Sequence, residues 1–235
     1  MRFLFLLNTG LMYLTVPIIL FLFFQFGDNP VYFDRIYTIS LLVLSFFCIN
    51  DKDSLSCIGI LLLYWLGSEP LFDSQGWFAK VMVYALSVWI CCSFLRRTLA
   101  KVSLFFVLFT LCTEVYWYVI DYQLNARLYY YVGMIAMTNL AIQVLSMRLQ
   151  LMAEWFKHLS GRNALDYRVA AILKAYLILH YLNLSEYFLR HLFGQKDMLL
   201  IYTWFPVLSA LLSAATMAVI FMVFFHYKAK SYLMA

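Results

Sequence analysis

A succession of long apolar runs, separated by short polar breaks, constrains this chain more than any other feature. The runs fall at about 3–26, 36–50, 54–68, 77–95, 102–121, 128–147, 169–191 and 198–225. A helix needs roughly 20 mostly apolar residues to cross a bilayer, so about eight crossings fit. Backbone groups in lipid must be hydrogen-bonded within their own segment, and no run alternates like a membrane β-strand. The sequence therefore predicts an all-α, polytopic membrane protein.

Composition indicates the same class of protein. Of the 235 residues, 65% are hydrophobic and 12% are charged, whereas a soluble domain has about 45–50% apolar and about 25% charged residues. So few charges cannot cover a water-soluble surface, and we expect the lipid bilayer to surround most of the chain. Residues 1–235 are treated as a single transmembrane domain. It begins with an uncleaved span, because the first run is too long for a signal peptide and no cleavage site follows it.

The region 36–68 leaves two interpretations open. Its two runs of about fifteen residues, joined at Asp51–Lys52–Asp53, are short for full crossings. They form either short transmembrane helices or a re-entrant hairpin that enters and leaves on the same side. Both interpretations leave the orientation of the later runs unchanged.

The basic residues predict the orientation of the chain. If the N-terminus is cytoplasmic, most of the seventeen lysines and arginines lie on the cytoplasmic side: Arg2, Lys52, Arg96, Arg97, Lys101, Arg148, Lys157, Arg162, Arg168, Lys228 and Lys230. Arg35, Arg127, Arg190 and Lys196 then lie outside, and Lys80 and Lys174 fall within helices. Positive charge is retained on the cytoplasmic side, so both termini are predicted to be cytoplasmic. This pattern suits a bacterial inner membrane, and charges spread over short loops do not indicate nucleic-acid binding.

A further helix is predicted at about 149–160, between the sixth and seventh runs. One face of this segment is apolar and contains Leu149, Met152, Trp155, Phe156 and Leu159. The opposite face is polar and contains Gln150, Glu154 and Lys157. This periodicity is typical of a helix lying in the cytoplasmic membrane surface. A docking face for a membrane-complex partner has the same pattern.

Two stripes of polar residues lie within the apolar runs. At 100° per residue, the seventh run places these side chains on one face: Tyr176, His180, Asn183, Glu186, Tyr187 and Arg190. The fifth run does the same for Thr110, Glu114, Trp117 and Asp121. Both runs have the same direction, and their polar residues lie at similar depth. We therefore predict an intramembrane polar site in which His180, Glu186 and Arg190 face Glu114 and Asp121, with Asn183 beside them.

Other polar and small residues add to this prediction. Asn139 and Gln143, four residues apart in the sixth run, complete the polar layer or link helices by hydrogen bonds. Ser209, Ser213 and Thr216 form a small-residue stripe that lets helices approach closely, within the chain or between subunits of a homo-oligomer. Pro206 is expected to kink the last helix.

Two classes of function remain open from the sequence. The five cysteines have no metal-ligand spacing, and no nucleotide-binding or hydrolase motif occurs. We therefore assign no catalytic residue, metal ion or cofactor. The favoured prediction is a non-enzymatic membrane protein, either a channel- or transporter-like subunit or a membrane anchor of a larger complex. The alternative is a membrane-embedded enzyme that acts on a lipid or lipid-linked substrate through Glu114, His180 and Glu186. Charged groups in spans favour a functional site, whereas polar pairs between helices are also common as structural links.

Overall fold

The described part of the protein is entirely helical. The computed structural model describes residues 17–18, 21–22, 25, 30–49, 51–73, 76–122, 128–157, 163–195, 197 and 199–233. Seven helices and no strand occur among these residues: α1 Pro30–Phe47, α2 Lys52–Asp73, α3 Trp77–Ser93, α4 Thr98–Val119, α5 Leu128–Phe156, α6 Asn163–Leu192 and α7 Leu200–Leu233. The all-α prediction is thus confirmed for this part. Most of the first apolar run lies outside the described residues.

Three helices are long and apolar enough to cross a membrane. These segments are Thr98–Val119, Leu128–Trp155 and Leu200–Phe224, while Arg35–Phe46 and Trp77–Ser93 are shorter apolar helices. The number of eight spans and the cytoplasmic position of both termini therefore remain predictions. The break at Asp51–Lys52–Asp53 is confirmed as a helix boundary. The helices on either side, α1 and α2, have 18 and 22 residues and extend beyond the apolar runs.

The segment at 149–160 differs from the separate helix that was predicted. Residues 149–156 continue α5 without a break, and Lys157 ends it with a positive φ of 48°. Residues 158–162 lie outside the described residues. An arginine eight residues before the end of α5, Arg148, therefore lies within a helix and not in a loop. Whether the last turns of α5 touch a membrane surface remains a prediction.

Helix α5 forms the centre of the bundle. It packs against α2, α3, α4 and α6. In α5, 67% of the most apolar 18-residue segment is buried, compared with 28% of the corresponding segment of α4. Helices α2 and α5 approach closely at Gly67, where an added Cβ would stand 2.6 Å from the Met137 methyl group. Helices α6 and α7 pack on each other, and α7 also contacts α1.

Contacts between side chains show that successive helices alternate in direction. Helices α2 and α5 are antiparallel, because Asp53 contacts Arg148 and Tyr64 contacts Thr138. Helices α5 and α6 are antiparallel through the pairs Arg148–Asp166 and Tyr131–Asn183. Helices α6 and α7 are antiparallel through the pairs Tyr176–Ser213 and Glu186–Ile201. Parallel neighbours are α3 with α5 through Lys80–Tyr129 and Cys91–Asn139, and α4 with α6 through Ser103–Tyr181 and Tyr122–His191. We call the end where α2 and α6 begin the clamp end. The opposite end, where α4 finishes at Trp117–Tyr122, is the aromatic end.

Candidate functional site

Arg148 is the most heavily bonded polar side chain that the structure describes. It is 2% exposed, and its guanidinium group binds residues of both α2 and α6. Nε and Nη2 donate to the two carboxylate oxygens of Asp166 at 2.5 and 2.9 Å. Nη1 donates to the Asp53 carbonyl and carboxylate oxygens at 3.1 and 3.3 Å and to Ser56 Oγ at 2.7 Å. This clamp joins three helices at one point.

The positions of the two aspartates explain why the clamp forms. Asp53 and Asp166 both lie in the first turn of their helices, where the exposed N–H groups and the helix dipole favour negative charge. A guanidinium group presents a planar fork that fits a carboxylate with two hydrogen bonds. Both aspartates are buried with Arg148. The clamp is therefore a polar link between helices, and sequence reasoning missed it by placing Arg148 in a loop.

Three residues of the polar stripe of α6, Tyr176, His180 and Glu186, face α7. The Tyr176 hydroxyl donates to the Ser209 carbonyl oxygen at 3.1 Å and lies 3.2 Å from Ser213 Oγ. At the other end of the stripe, Glu186 accepts hydrogen bonds from the backbone N–H groups of Ile201 and Tyr202 at 2.5 and 3.2 Å. Because α7 begins at Leu200, Glu186 supplies acceptors for N–H groups that have no partner within the helix. These contacts are structural links between α6 and α7.

His180 lies between these two links and has no hydrogen bond. It is 2% exposed, and its ring centroid lies 5.7 Å from that of Tyr176 and 5.6 Å from that of Phe205. Within the described residues, neither ring nitrogen of His180 has a hydrogen-bond partner, and Ser209 Oγ on α7 is also buried without one. Buried polar atoms in folded proteins are nearly always paired. The two ring nitrogens of His180 and the hydroxyl oxygen of Ser209 can therefore form hydrogen bonds with a bound polar molecule.

Helices α4 and α6 do pack together, but their contact is mainly aromatic. Ser103 Oγ and the Tyr181 hydroxyl lie 2.6 Å apart, and the Phe106 and Tyr181 rings stack at 4.6 Å. Further ring contacts join Phe109 with Phe188, Trp117 with Tyr187, Phe188 and His191, and Tyr122 with His191. Large rings therefore occupy the contact where charged groups were predicted.

The charged residues of the two predicted stripes have different neighbours. The Glu114 carboxyl lies beside the Tyr84 hydroxyl and within electrostatic range of Lys80, both on α3. Tyr187 of α6 lies within electrostatic range of Glu114 and of Arg190, but the described part of the chain shows no ion pair or hydrogen bond between Glu114 and α6. Asp121 is exposed in the turn after α4, with a positive φ of 51°. The predicted facing of Glu114 and Asp121 with His180, Glu186 and Arg190 is not formed as a paired layer.

The remaining predicted residues divide among three helix contacts. Asn183 lies beside the Tyr131 hydroxyl of α5. Gln143 Nε2 donates to Asn139 Oδ1 at 3.3 Å, and Asn139 lies next to the Cys91 thiol of α3. Ser209, Ser213 and Thr216 are buried, with Ser209 and Ser213 in contact with Tyr176 of the same chain. The small-residue stripe therefore serves packing within the chain, and a homo-oligomer remains a prediction.

Comparisons with known proteins add no identification. The chain matches no protein-family model, no curated protein and no solved structure. Among the described residues, no group of three or more His, Cys, Asp or Glu side chains could hold a metal ion. Function must therefore be inferred from the bundle itself.

Proposed function

We propose that this chain is a non-enzymatic integral membrane protein of the channel- or transporter-like class. The proposal places α1 to α7 across a membrane and the polar site along the α6–α7 contact. It rests most directly on His180, which is buried and whose two ring nitrogens have no hydrogen-bond partner in the part of the chain that the structure describes. Leaving a buried polar group without a partner costs free energy, so this arrangement suits a protein that receives a polar species there.

The surface of the bundle supports the membrane assignment. Large apolar side chains are exposed on most helices, including Phe46, Phe105, Val119, Phe193 and Leu200. Their scattered exposure around the bundle, together with three helices long enough to span, suits contact with lipid. The basic residues Arg96, Arg97 and Lys157 are exposed at the clamp end. By the positive-inside rule, the proposal places this end in the cytoplasm and the chain in a bacterial inner membrane.

The positions of the predicted acidic residues favour a non-enzymatic function over the enzyme alternative. Glu186 is used as a hydrogen-bond acceptor at the start of α7. Glu114 lies beside α3, and His180 lies six residues before Glu186, which is roughly 9 Å along the helix axis. An acid, a base and a nucleophile must converge on one reacting atom. Glu114, His180 and Glu186 instead have three separate surroundings.

Reconstitution of the purified chain tests the proposal. The expected result is that planar bilayers or vesicles containing the chain show solute or ion movement above that of protein-free membranes. The chain should also remain in the membrane fraction after alkaline extraction. Extraction into the soluble fraction, or membranes as tight as the protein-free control to every solute tried, would contradict the proposal.

A membrane anchor within a larger complex is the second candidate, favoured by two aromatic residues at the clamp end. Trp155 near the end of α5 and Tyr167 near the start of α6 are 74% and 75% exposed. If Trp155 anchors a partner, Trp155→Glu should release a co-purifying protein without lowering the melting temperature in detergent. If it lies in the membrane surface, the same change should weaken membrane packing while the spans stay inserted. Trp77→Glu, at an equally exposed tryptophan of the aromatic end, is the matched control, and no effect of Trp155→Glu would remove this candidate.

A further inference from the structure

Six buried polar residues lie at successive depths of the bundle between the clamp end and the aromatic end. We define this polar column by Asp166, Cys57, Tyr37, Tyr176, His180 and Glu186. Cys57 of α2 lies within electrostatic range of Asp166 and Arg148, and Tyr37 of α1 lies within range of Cys57 and of Tyr176. From Tyr176 the column continues along α6 to His180 and Glu186. All six side chains are buried.

The length of the polar column matches a membrane. Asp166 and Glu186 are twenty residues apart on one continuous helix, which corresponds to roughly 30 Å at ~1.5 Å per residue. The hydrocarbon core of a bilayer is about 30 Å thick. The two ends of the column are bonded to fixed groups, Arg148 at one end and the start of α7 at the other. His180 lies fourteen residues from Asp166 and six from Glu186. Its ring nitrogens and the nearby Ser209 hydroxyl have no hydrogen-bond partner among the described residues.

The chemistry around His180 suits protons. Imidazole and hydroxyl groups can each donate and accept a hydrogen bond. A bound metal cation instead needs several convergent ligands, and the described residues contain no group of three or more His, Cys, Asp or Glu side chains that could hold one. The ring centroids of Tyr176 and Phe205 lie 5.7 and 5.6 Å from that of His180, so aromatic side chains form part of its surroundings.

We propose that the polar column conducts protons, with His180 as a relay. The proposal rests on the proposed channel- or transporter-like function and names its substrate. One His180 ring nitrogen accepts a proton, and the other releases its own proton to the next hydroxyl or bridging water. Only N–H, O–H and, at Cys57, S–H bonds form and break, and each proton carries one positive charge across. Tyr176, held by Ser209 and Ser213, is a positioning residue that keeps a hydroxyl beside His180.

The test uses the full chain in proteoliposomes that contain a pH-sensitive dye, with a potassium gradient and valinomycin to set the membrane potential. The expected result is internal acidification faster than in protein-free vesicles. His180→Leu should return the rate to that of protein-free vesicles, and Tyr176→Phe should lower it. His191→Leu is the matched control, because His191 lies on α6 but bonds Tyr122 in the turn after α4, and it should conduct like the wild type.

Stability separates a relay from a structural role. His180→Leu removes an unpaired buried polar group and should fold with an equal or higher melting temperature. Loss of flux together with a lower melting temperature would mean that His180 only supports the fold, and this would overturn the inference. Proton flux that persists in His180→Leu would overturn it as well. Movement of sodium, potassium or chloride without protons would overturn the proton inference and retain the proposed function, whereas no movement of any ion or solute would contradict both.

Discussion

At the scale of single residues, burial and hydrogen bonding decide whether a charged side chain indicates membrane orientation or links helices. Arg148 counts toward orientation when the chain is read as a sequence, yet its guanidinium group is enclosed by Asp53, Ser56 and Asp166. The apolar residues on both sides of Arg148 were the available signal that it belongs to a helix. Its partners could not be foreseen, because they lie far away in sequence and depend on which helix faces meet.

Replacing Arg148 should destabilise the bundle. Arg148→Leu leaves Asp53 and Asp166 buried without their cation, which we expect to cost about 3–5 kcal/mol. The melting temperature in detergent should fall sharply, whereas Arg97→Leu is the control, because exposed Arg97 makes only a 3.3 Å hydrogen bond to Ser146. The triple change Arg148→Leu, Asp53→Leu and Asp166→Leu should recover much of the loss, since no unpaired charge remains. A wild-type melting temperature for Arg148→Leu alone would contradict the clamp.

At the scale of elements, the apolar runs predicted the helices well but not their contacts. Seven of the eight runs correspond to α1 to α7, and the polar break before α2 falls where the sequence placed it. The periodicity of α6 also indicated one polar face. Similar depth then suggested α4 as the facing helix, but depth does not determine which faces meet. Rings such as Phe106, Phe109 and Trp117 occupy the α4–α6 contact. Tyr176, His180 and Glu186 of the polar face lie against α7 instead.

The start of α7 depends on Glu186. Glu186→Leu removes the acceptor for the N–H groups of Ile201 and Tyr202, so we expect a loss of about 1–2 kcal/mol, as for other helix caps. Amide hydrogen exchange should increase in the first turn of α7, and Glu186→Gln should show a smaller increase because its amide oxygen still accepts. Glu154→Leu is the control, since exposed Glu154 bonds only Gln150 among the described residues. Unchanged exchange at Ile201 and Tyr202 in Glu186→Leu would exclude the capping role.

At the scale of the whole molecule, alternating helix directions place the loops at two ends. The loop between α3 and α4 lies at the clamp end with the start of α2 and α6, as the Arg97–Ser146 contact near the end of α5 indicates. The turn after α4 lies at the aromatic end beside His191. The order of runs predicted this alternation, because short connections require each helix to reverse direction. Only the distribution of charge indicates which end of the bundle faces the cytoplasm, so the orientation of the whole molecule remains a prediction.

Cysteine labelling decides this orientation. In a background without the five native cysteines, Arg96→Cys marks the clamp end and Tyr122→Cys marks the aromatic end, both at exposed positions. The positive-inside rule attracts basic loops to the cytoplasm, so a membrane-impermeant maleimide applied to intact bacterial spheroplasts should label Tyr122→Cys only. Arg96→Cys should become labelled after the membrane is opened with detergent, which controls for its reactivity. Labelling of Arg96→Cys in closed spheroplasts would place the clamp end outside. Inward proton flux would then enter the polar column at the clamp end instead of leaving the column there.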